Sequence, residues 1–274
     1  MIHALWTPAE DGILAGARYD GASGPAIVFV HGVGSSAAVW DYQLEALSSR
    51  YRCYAIELRG NGSAKPDPAP ATITREGFVE DVLAIVKTAS IERFHFVGCS
   101  LGGVVGFELM RRMPERIASL TLVGSFAAYP NAEQHVATIN ASVTESGSME
   151  VFAHARIQLL LPPGSSQSRI DETIAQMAQK SVPSYIASTN ATWRGDYRAD
   201  LSAIEVPTLV ICGELDPIAP VTLSQEIASG IPGALLTVIP RAGHVTNADA
   251  PRAFNEALVR FLTSLEKAGE AVRR

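Results

Sequence analysis

The sequence is short of cysteine, of clustered basic residues and of long apolar runs, and each shortage excludes something. Three cysteines in 274 residues cannot build the disulfide framework of a small secreted fold. Cys53 and Cys212 fall inside apolar runs and Cys99 stands beside a serine. They read as reduced thiols packed as small hydrophobes, hence a cytoplasmic protein. No stretch of about 18 apolar residues exists to span a membrane. The start, Met1 to Pro8, has neither the basic region nor the apolar core of a secretory signal. A net charge of −6 with no Lys/Arg cluster argues against non-specific nucleic-acid binding. His31 has no second His or Cys at ligand spacing, so no metal is expected. Gly60-Asn61-Gly62 lacks the Lys-Ser/Thr of a phosphate loop, and Gly102-Gly103 lacks dinucleotide-binding spacing. What remains is 47% hydrophobic and 18% charged, the balance of a soluble enzyme. The length allows one large α/β domain or two small ones.

Read in order, residues 2–7 and 13–19 form two short strands joined by a turn at Asp11-Gly12. Pro25–Val30 is a continuous apolar run, the mark of a strand buried on both faces, and it ends in His31-Gly32-Val33-Gly34. Trp40, Leu44 and Leu47 mark a helix, Tyr51–Leu58 a strand, and Lys65–Ala71 a surface loop. A helix carrying Phe78, Val82, Ile85 and Val86 precedes the strand Phe94–Val97. Further strands are expected at Ile117–Val123, Val206–Gly213 and Ala234–Ile239, with helices at Val221–Ala228 and Pro251–Lys267. The tail after Gly269 is charged and expected to fray. Strand and helix alternate across short loops, which predicts a doubly wound, mostly parallel sheet. From about 127 to 192 the pattern becomes purely helical. Residues 1–126 and 193–274 therefore read as two parts of one α/β core, and 127–192 as a helical cap with Pro162-Pro163-Gly164 in its lid and Trp193 at the return.

The chemistry gathers at Gly98-Cys99-Ser100-Leu101-Gly102. Gly-x-Ser-x-Gly between a buried strand and an apolar helix is the arrangement of a nucleophile elbow. A turn this tight strains the serine backbone, and side chains at Gly98 and Gly102 would strike the neighbouring strand and helix. Cys99 is the alternative nucleophile; one residue before the serine, it reads as a wall. Serine needs a histidine base, and that imidazole needs a carboxylate. His135 and His154 lie in the helical segment, whereas His244 follows a late strand, where the loops at a sheet's carboxyl edge collect. For the acid, Asp216 directly follows a buried strand, with Glu214 as its rival; the loop Gly124–Ala127 offers no carboxylate. The N–H groups of Val33 and Leu101 are placed to face a developing oxyanion.

Together these pieces resemble the α/β-hydrolase superfamily over nearly the whole chain. Within it, the Gly-x-Ser-Leu-Gly-Gly elbow, the strand leading to Asp216 and Gly243-His244-Val245-Thr246-Asn247 are similar to the 3-oxoadipate enol-lactonase-like hydrolases. Glu57-Leu58-Arg59-Gly60-Asn61-Gly62-Ser63 resembles that group's Asp-x-Arg-Gly-His-Gly-x-Ser with Glu and Asn substituted and the serine shifted. The resemblance implies hydrolysis of a small ester or lactone through an acyl-serine, without cofactor, by a monomer or homodimer. Perhydrolysis, carbon–carbon bond hydrolysis or a receptor role on the same fold are the alternatives. Phe126, Phe152, Ile157, Leu160 and Met177 are candidates for either the cap's own core or the pocket wall.

Overall fold

Each buried apolar run of the sequence becomes a strand, and the runs stack side by side. A computed structural model describes residues 1–21, 23–61 and 67–272; Gly62, Ser63 and Lys65, named above, lie outside the described residues. In chain order come β1 (His3–Pro8), β2 (Leu14–Asp20), β3 (Ala26–Val30), α1 (Asp41–Leu47), β4 (Arg52–Glu57), α2 (Arg75–Thr88), β5 (Phe94–Cys99), α3 (Leu101–Arg112) and β6 (Ile117–Val123). Four helices follow: α4 (Ala132–Ser146), α5 (Met149–Leu160), α6 (Gln167–Ala178) and α7 (Val182–Trp193). Then come β7 (Thr208–Gly213), α8 (Val221–Gly230), β8 (Leu235–Ile239), the single turn α9 (Thr246–Asp249) and α10 (Pro251–Val272).

The strands form one eight-stranded sheet in the order β1-β2-β4-β3-β5-β6-β7-β8. Only the pairings of β2 with β1 and with β4 are antiparallel. β3 and β7 are buried at every position, and β5 and β6 at all but one. That explains why their sequences run apolar without alternation. Successive residues still serve opposite faces. Val28, Val30, Phe96 and Leu120 join α2 and α3 in one core, while Ile27, Phe29, Val97 and Ile211 join α1 and α10 in the other.

Because β4 lies on one side of β3 and β5 on the other, winding reverses between β3 and β5. Ligands of open α/β sheets bind outside the carboxyl ends of strands at such a reversal. Here those two ends deliver His31-Gly32-Val33 and Ser100. Helices α4 to α7 fall between β6 and β7, and three of them start on a serine. Ser148, Ser166 and Ser181 accept hydrogen bonds from Val151, Arg169 and Ser184 N–H at 3.3, 3.3 and 3.1 Å, satisfying donors that a helix end leaves free.

Among the boundaries that differ from the sequence reading, two concern the strand before Ser100 and the last helix. β5 does not break at Gly98 but runs through it, since Gly98 pairs with Val30 on one side and Leu122 on the other. α10 continues to Val272 instead of stopping near Lys267. Within the expected loop before α2, Pro70–Thr72 coils into a 3-10 turn. Arg59, in the segment that resembles the lactonase motif, is 1% exposed. Its side chain donates to Asp81 at 2.8 and 3.0 Å, and its backbone N–H to the same carboxylate at 2.8 Å. No helix among the described residues is long and apolar enough to cross a membrane.

Candidate active site

Ser100 sits between the end of β5 and the start of α3 with φ 53° and ψ −108°, a backbone region that β-carbon sterics disfavour. Its surroundings hold it there. Ser100 N–H donates to Val123 O at 2.9 Å and its carbonyl accepts from Gly103 N–H at 2.8 Å. The glycines make the turn possible: a β-carbon on Gly98 would meet the Gly102 backbone, and one on Gly102 would meet the Val30 carbonyl. Gly32 closes in from β3, where a β-carbon would stand 3.3 Å from Ser100 Cβ. Ser100 Oγ makes no hydrogen bond among the described residues. Nor do the N–H groups of Val33 and Leu101.

Asp216 and His244 meet at 2.8 Å, Oδ2 to Nδ1, and both are buried. The other oxygen of Asp216 accepts from the N–H groups of Ile218 and Ala219 at 2.8 and 2.9 Å, so the carboxylate cannot turn away from the ring. With Asp216 accepting, Nδ1 carries the hydrogen and Nε2 is left as the basic nitrogen. Glu214 does something else: its carboxylate accepts from Arg241 N–H at 3.0 Å and ties down the loop after β8. Cys99 is buried, and burial pushes its thiol well above the ordinary range. It is a wall residue and no ready thiolate.

Residues that sequence reasoning passed over hold this pair in place. Gly124, at φ +50°, leaves room for it; a β-carbon there would lie 3.2 Å from Asp216 Oδ2 and 3.3 Å from His244 Nδ1. Its N–H donates to Ile211 O at 2.9 Å. Asn247 is fully buried and donates to Val39 O at 2.8 Å, while Gln43 donates to Asn247 O at 3.1 Å. The histidine loop is thereby tied to the chain that follows β3. Asp249 accepts from Gly243 N–H at 3.0 Å, and burial pushes its carboxyl up to about 6 against the pull of the Arg169 charge. The only advance signal was the similarity of the Gly243–Asn247 run to the lactonase-like group. Gly124 had none, because its role depends on neighbours about 90 to 120 residues away.

A cleft of about 40 Å³ opens beside these parts, lined by Gly32 to Ser35, Val39, Cys99, His244 and Val245 from the sheet side. Leu160, Arg169, Thr173, Gln176 and Met177 close it from the inserted helices. Beside it, α5, α6 and the loop between them form a wider groove of about 450 Å³ around Ile157, Leu161, Pro163 and Ile170. Of the five apolar candidates, Leu160 and Met177 face the cleft and Ile157 the groove. Phe126 stacks on Trp193 at 4.9 Å and Phe152 packs edge-on to Tyr185 at 5.1 Å, both within the core. Among the described residues, no group of three or more His, Cys, Asp or Glu side chains is placed to hold a metal ion.

The chain is 30% identical over 88% of its length to RutD of Agrobacterium fabrum, provisionally assigned as a carbamate hydrolase, and covers 94% of that protein. It is 27% identical to 3-oxoadipate enol-lactonase 2 of Acinetobacter baylyi, with 91% of this chain and 93% of that one aligned. Among solved structures, the enol-lactonase of Burkholderia xenovorans superposes with a TM-score of 0.85 at 27% identity, over 94% of this chain and all of that one. The family model for the alpha/beta hydrolase fold matches residues 25–251. That span runs from the residue before β3 to the first residue of α10 and takes in both winding directions of the sheet. On that match the chain belongs to the α/β-hydrolase family.

Proposed function

We propose that the protein is a serine hydrolase that cleaves a small carboxylic ester or lactone through an acyl-serine intermediate. The observation that carries this reading is the strained Ser100, wedged at the sheet's winding reversal next to a buried Asp216–His244 pair. Ser100 Oγ attacks the carbonyl carbon while His244 Nε2 takes its proton, and Asp216 stabilises the imidazolium that results. The C=O electrons move onto oxygen, and the free N–H groups of Val33 and Leu101 receive that charge at the N-terminus of α3. Collapse expels the alkoxide, which takes the proton back from His244. Water then repeats the sequence on the acyl-enzyme. The proton transfer requires a hydrogen bond from Ser100 Oγ to His244 Nε2 in the substrate complex.

Similarity to the RutD relatives favours a second reading, in which the bond broken is the C–N bond of a carbamate. The same residues would attack that carbonyl, with His244 protonating a departing amine. Helices α4 to α7 act in either case as a cap that closes the site from water.

Two experiments test the proposal. Ser100→Ala should abolish turnover of 4-nitrophenyl acetate, a loss of about 10³–10⁶-fold for such triads, while keeping the melting temperature. An organophosphate should label Ser100 in the native chain and fail to do so in His244→Ala. Undiminished turnover by the alanine variant would overturn the serine mechanism. Parallel assays on lactones, aryl esters and aryl carbamates decide between the two readings.

A further inference from the structure

β8 is the last strand of the sheet, and its outer side has no neighbouring strand among the described residues. Edge strands of a lone molecule are blunted by charge, by proline or by a cover. The opposite edge, β1, is blunted in that way: it ends in Pro8 and begins beside the ion pair of the Met1 amino group with Asp20. β8 reads Leu-Leu-Thr-Val-Ile, and no charged residue occurs from Ile231 to Pro240. Of the nine large apolar side chains exposed among the described residues, Leu235, Leu236 and Val238 stand on this one strand, at 53, 36 and 38%. Apolar side chains grouped in this way mark a contact surface.

The backbone of this edge is complementary to itself. Ile239 O accepts from Glu214 N–H at 3.0 Å, so Ile239 faces β7, and Leu235 and Thr237 face it too. The N–H and C=O groups of the alternate residues, Leu236 and Val238, therefore point outward. The edge is bounded at both ends. Pro240, at the next outward position, has no N–H. Ala234, at the position before, already donates to Ile231 O at 3.2 Å. An antiparallel copy of the same strand, related by a twofold axis at Thr237, sets Leu236 against Val238 of the second copy. That pair exchanges both N–H···O bonds, its symmetry mate does the same, and every outward group of Leu236 and Val238 is satisfied. An axis at Leu236 would leave the Val238 carbonyl unpaired, and an axis at Val238 the Leu236 carbonyl.

We infer that β8 is a homodimer interface, at which a second copy of this chain continues the sheet across a twofold axis at Thr237. The inference goes beyond the hydrolase reading and does not rest on it. The side chains agree with this register, because residues directly opposite in an antiparallel pair share a face. Leu235 lies against Ile239 of the second copy, Leu236 against its Val238, and Thr237 against its Thr237. Apolar residues thus meet on both faces of the joined sheet, and threonine, a favourable cross-strand partner for itself, stands on the axis. A longer strand from another protein would gain nothing from its length, since bonding stops at Ala234 and Pro240. A twofold contact of this kind uses the same edge on both chains, so the assembly closes at two.

Sedimentation equilibrium on the full chain is the first test. At about 100 μM, a concentration that fills even a micromolar complex, the native chain should sediment at twice its own mass. Val238→Lys, which sets a cation in the paired edge, should weaken the dimer by about tenfold or more and keep the native circular dichroism spectrum. A second test uses cysteines. Facing residues of a non-hydrogen-bonded pair have Cα atoms about 4.5 Å apart, within reach of a disulfide. Thr237→Cys should therefore give a covalent dimer under copper–phenanthroline oxidation. Leu235→Cys, at the more exposed position, should not, because the two copies of residue 235 stand about 14 Å apart along the joined strands. Cys53, Cys99 and Cys212 are buried and do not compete. A native chain that stays monomeric at about 100 μM would overturn the inference. So would a dimer that Val238→Lys leaves intact, or cross-linking at Leu235→Cys in preference to Thr237→Cys, since either puts the contact on another surface. Should Val238→Lys not fold, the two cysteine variants decide alone.

Discussion

The sheet and the inserted helices bury their side chains differently. Central strands are covered on both faces, and the groups that bear on Ser100 are pinned by backbone hydrogen bonds: Ser100 to Val123, Gly124 to Ile211, Asp216 to Ile218 and Ala219. In the insertion each helix buries only a stripe. α6 buries just Ile174 and Met177 and turns Arg169, Thr173 and Gln176 toward the cleft. The contrast separates two tasks. On the proposed reading, bond-making geometry would rest on elements with a single packing solution, and the choice of substrate on elements with slack.

That division can be broken in four places. The largest effect belongs to the sheet: Asp216→Asn should lower kcat about 10⁴-fold on every substrate alike, because the amide favours the wrong histidine tautomer. Glu214→Gln should cost far less, since Glu214 only anchors the loop at Arg241. A reversal of these two in steady-state kinetics would move the acid to Glu214.

Next comes the insertion's own core. Phe152 is fully buried, and Phe152→Ala should destabilise by about 3–5 kcal/mol in urea unfolding, with substrate ranking preserved among molecules still folded. A changed ranking at full stability would mean that this core also selects substrate.

The third test is pH-dependent and joins the two regions at Asp249. Its carboxyl is raised to about 6 by burial, so the fold favours the protonated form. That stability is fully present below the ordinary aspartate range near 4 and is lost as pH rises through 6. Asp249→Asn keeps an acceptor for Gly243 N–H and carries no charge. It should therefore unfold less readily than the native chain at pH 8, by about 1–3 kcal/mol, with the gap closing toward pH 4. A gap that is constant with pH would show that the Asp249 charge is well solvated.

The smallest effect is expected at Leu160, which lines the cleft while remaining half-buried. Leu160→Ala should shift the ratio of lactone to aryl-ester turnover by about tenfold, the low end of what one methylene is worth in an apolar pocket, and barely move the melting temperature. No shift would show that Leu160 takes no part in choosing between the two substrates.

Which parts of this were legible in the sequence follows from how local each signal is. β3, β5, β6 and β7 announce themselves because burial on both faces demands apolar residues at every position. Gly98, Ser100 and Gly102 are legible because the turn imposes its own glycines. Asp216 is legible because it leaves the end of a buried strand. Gly124, Asp249 and Arg169 are not, and Asn247 only through the resemblance of the run that holds it. A glycine opposite a buried Asp–His pair, an amide fixing a distant loop and a cation facing a cleft look like any others until the chain has folded. The choice between Asp216 and Glu214 was open for the same reason. Two residues apart after one strand, they are told apart only by what lies opposite, His244 for one and the Arg241 backbone for the other.

The lodging of Ser100 has a further consequence, for how the protein unfolds. Its conformation exists only while β3, β5 and β6 are side by side, since Val30 crowds Gly102 and Val123 holds the Ser100 amide. The Ser100 turn is thus assembled by segments scattered over about a hundred residues, and no fragment of the sheet can hold it alone. Catalytic activity should vanish in step with the sheet in denaturant, with no inactive but sheet-intact stage before it. The Ser100 amide proton should exchange with solvent only through global opening of the molecule.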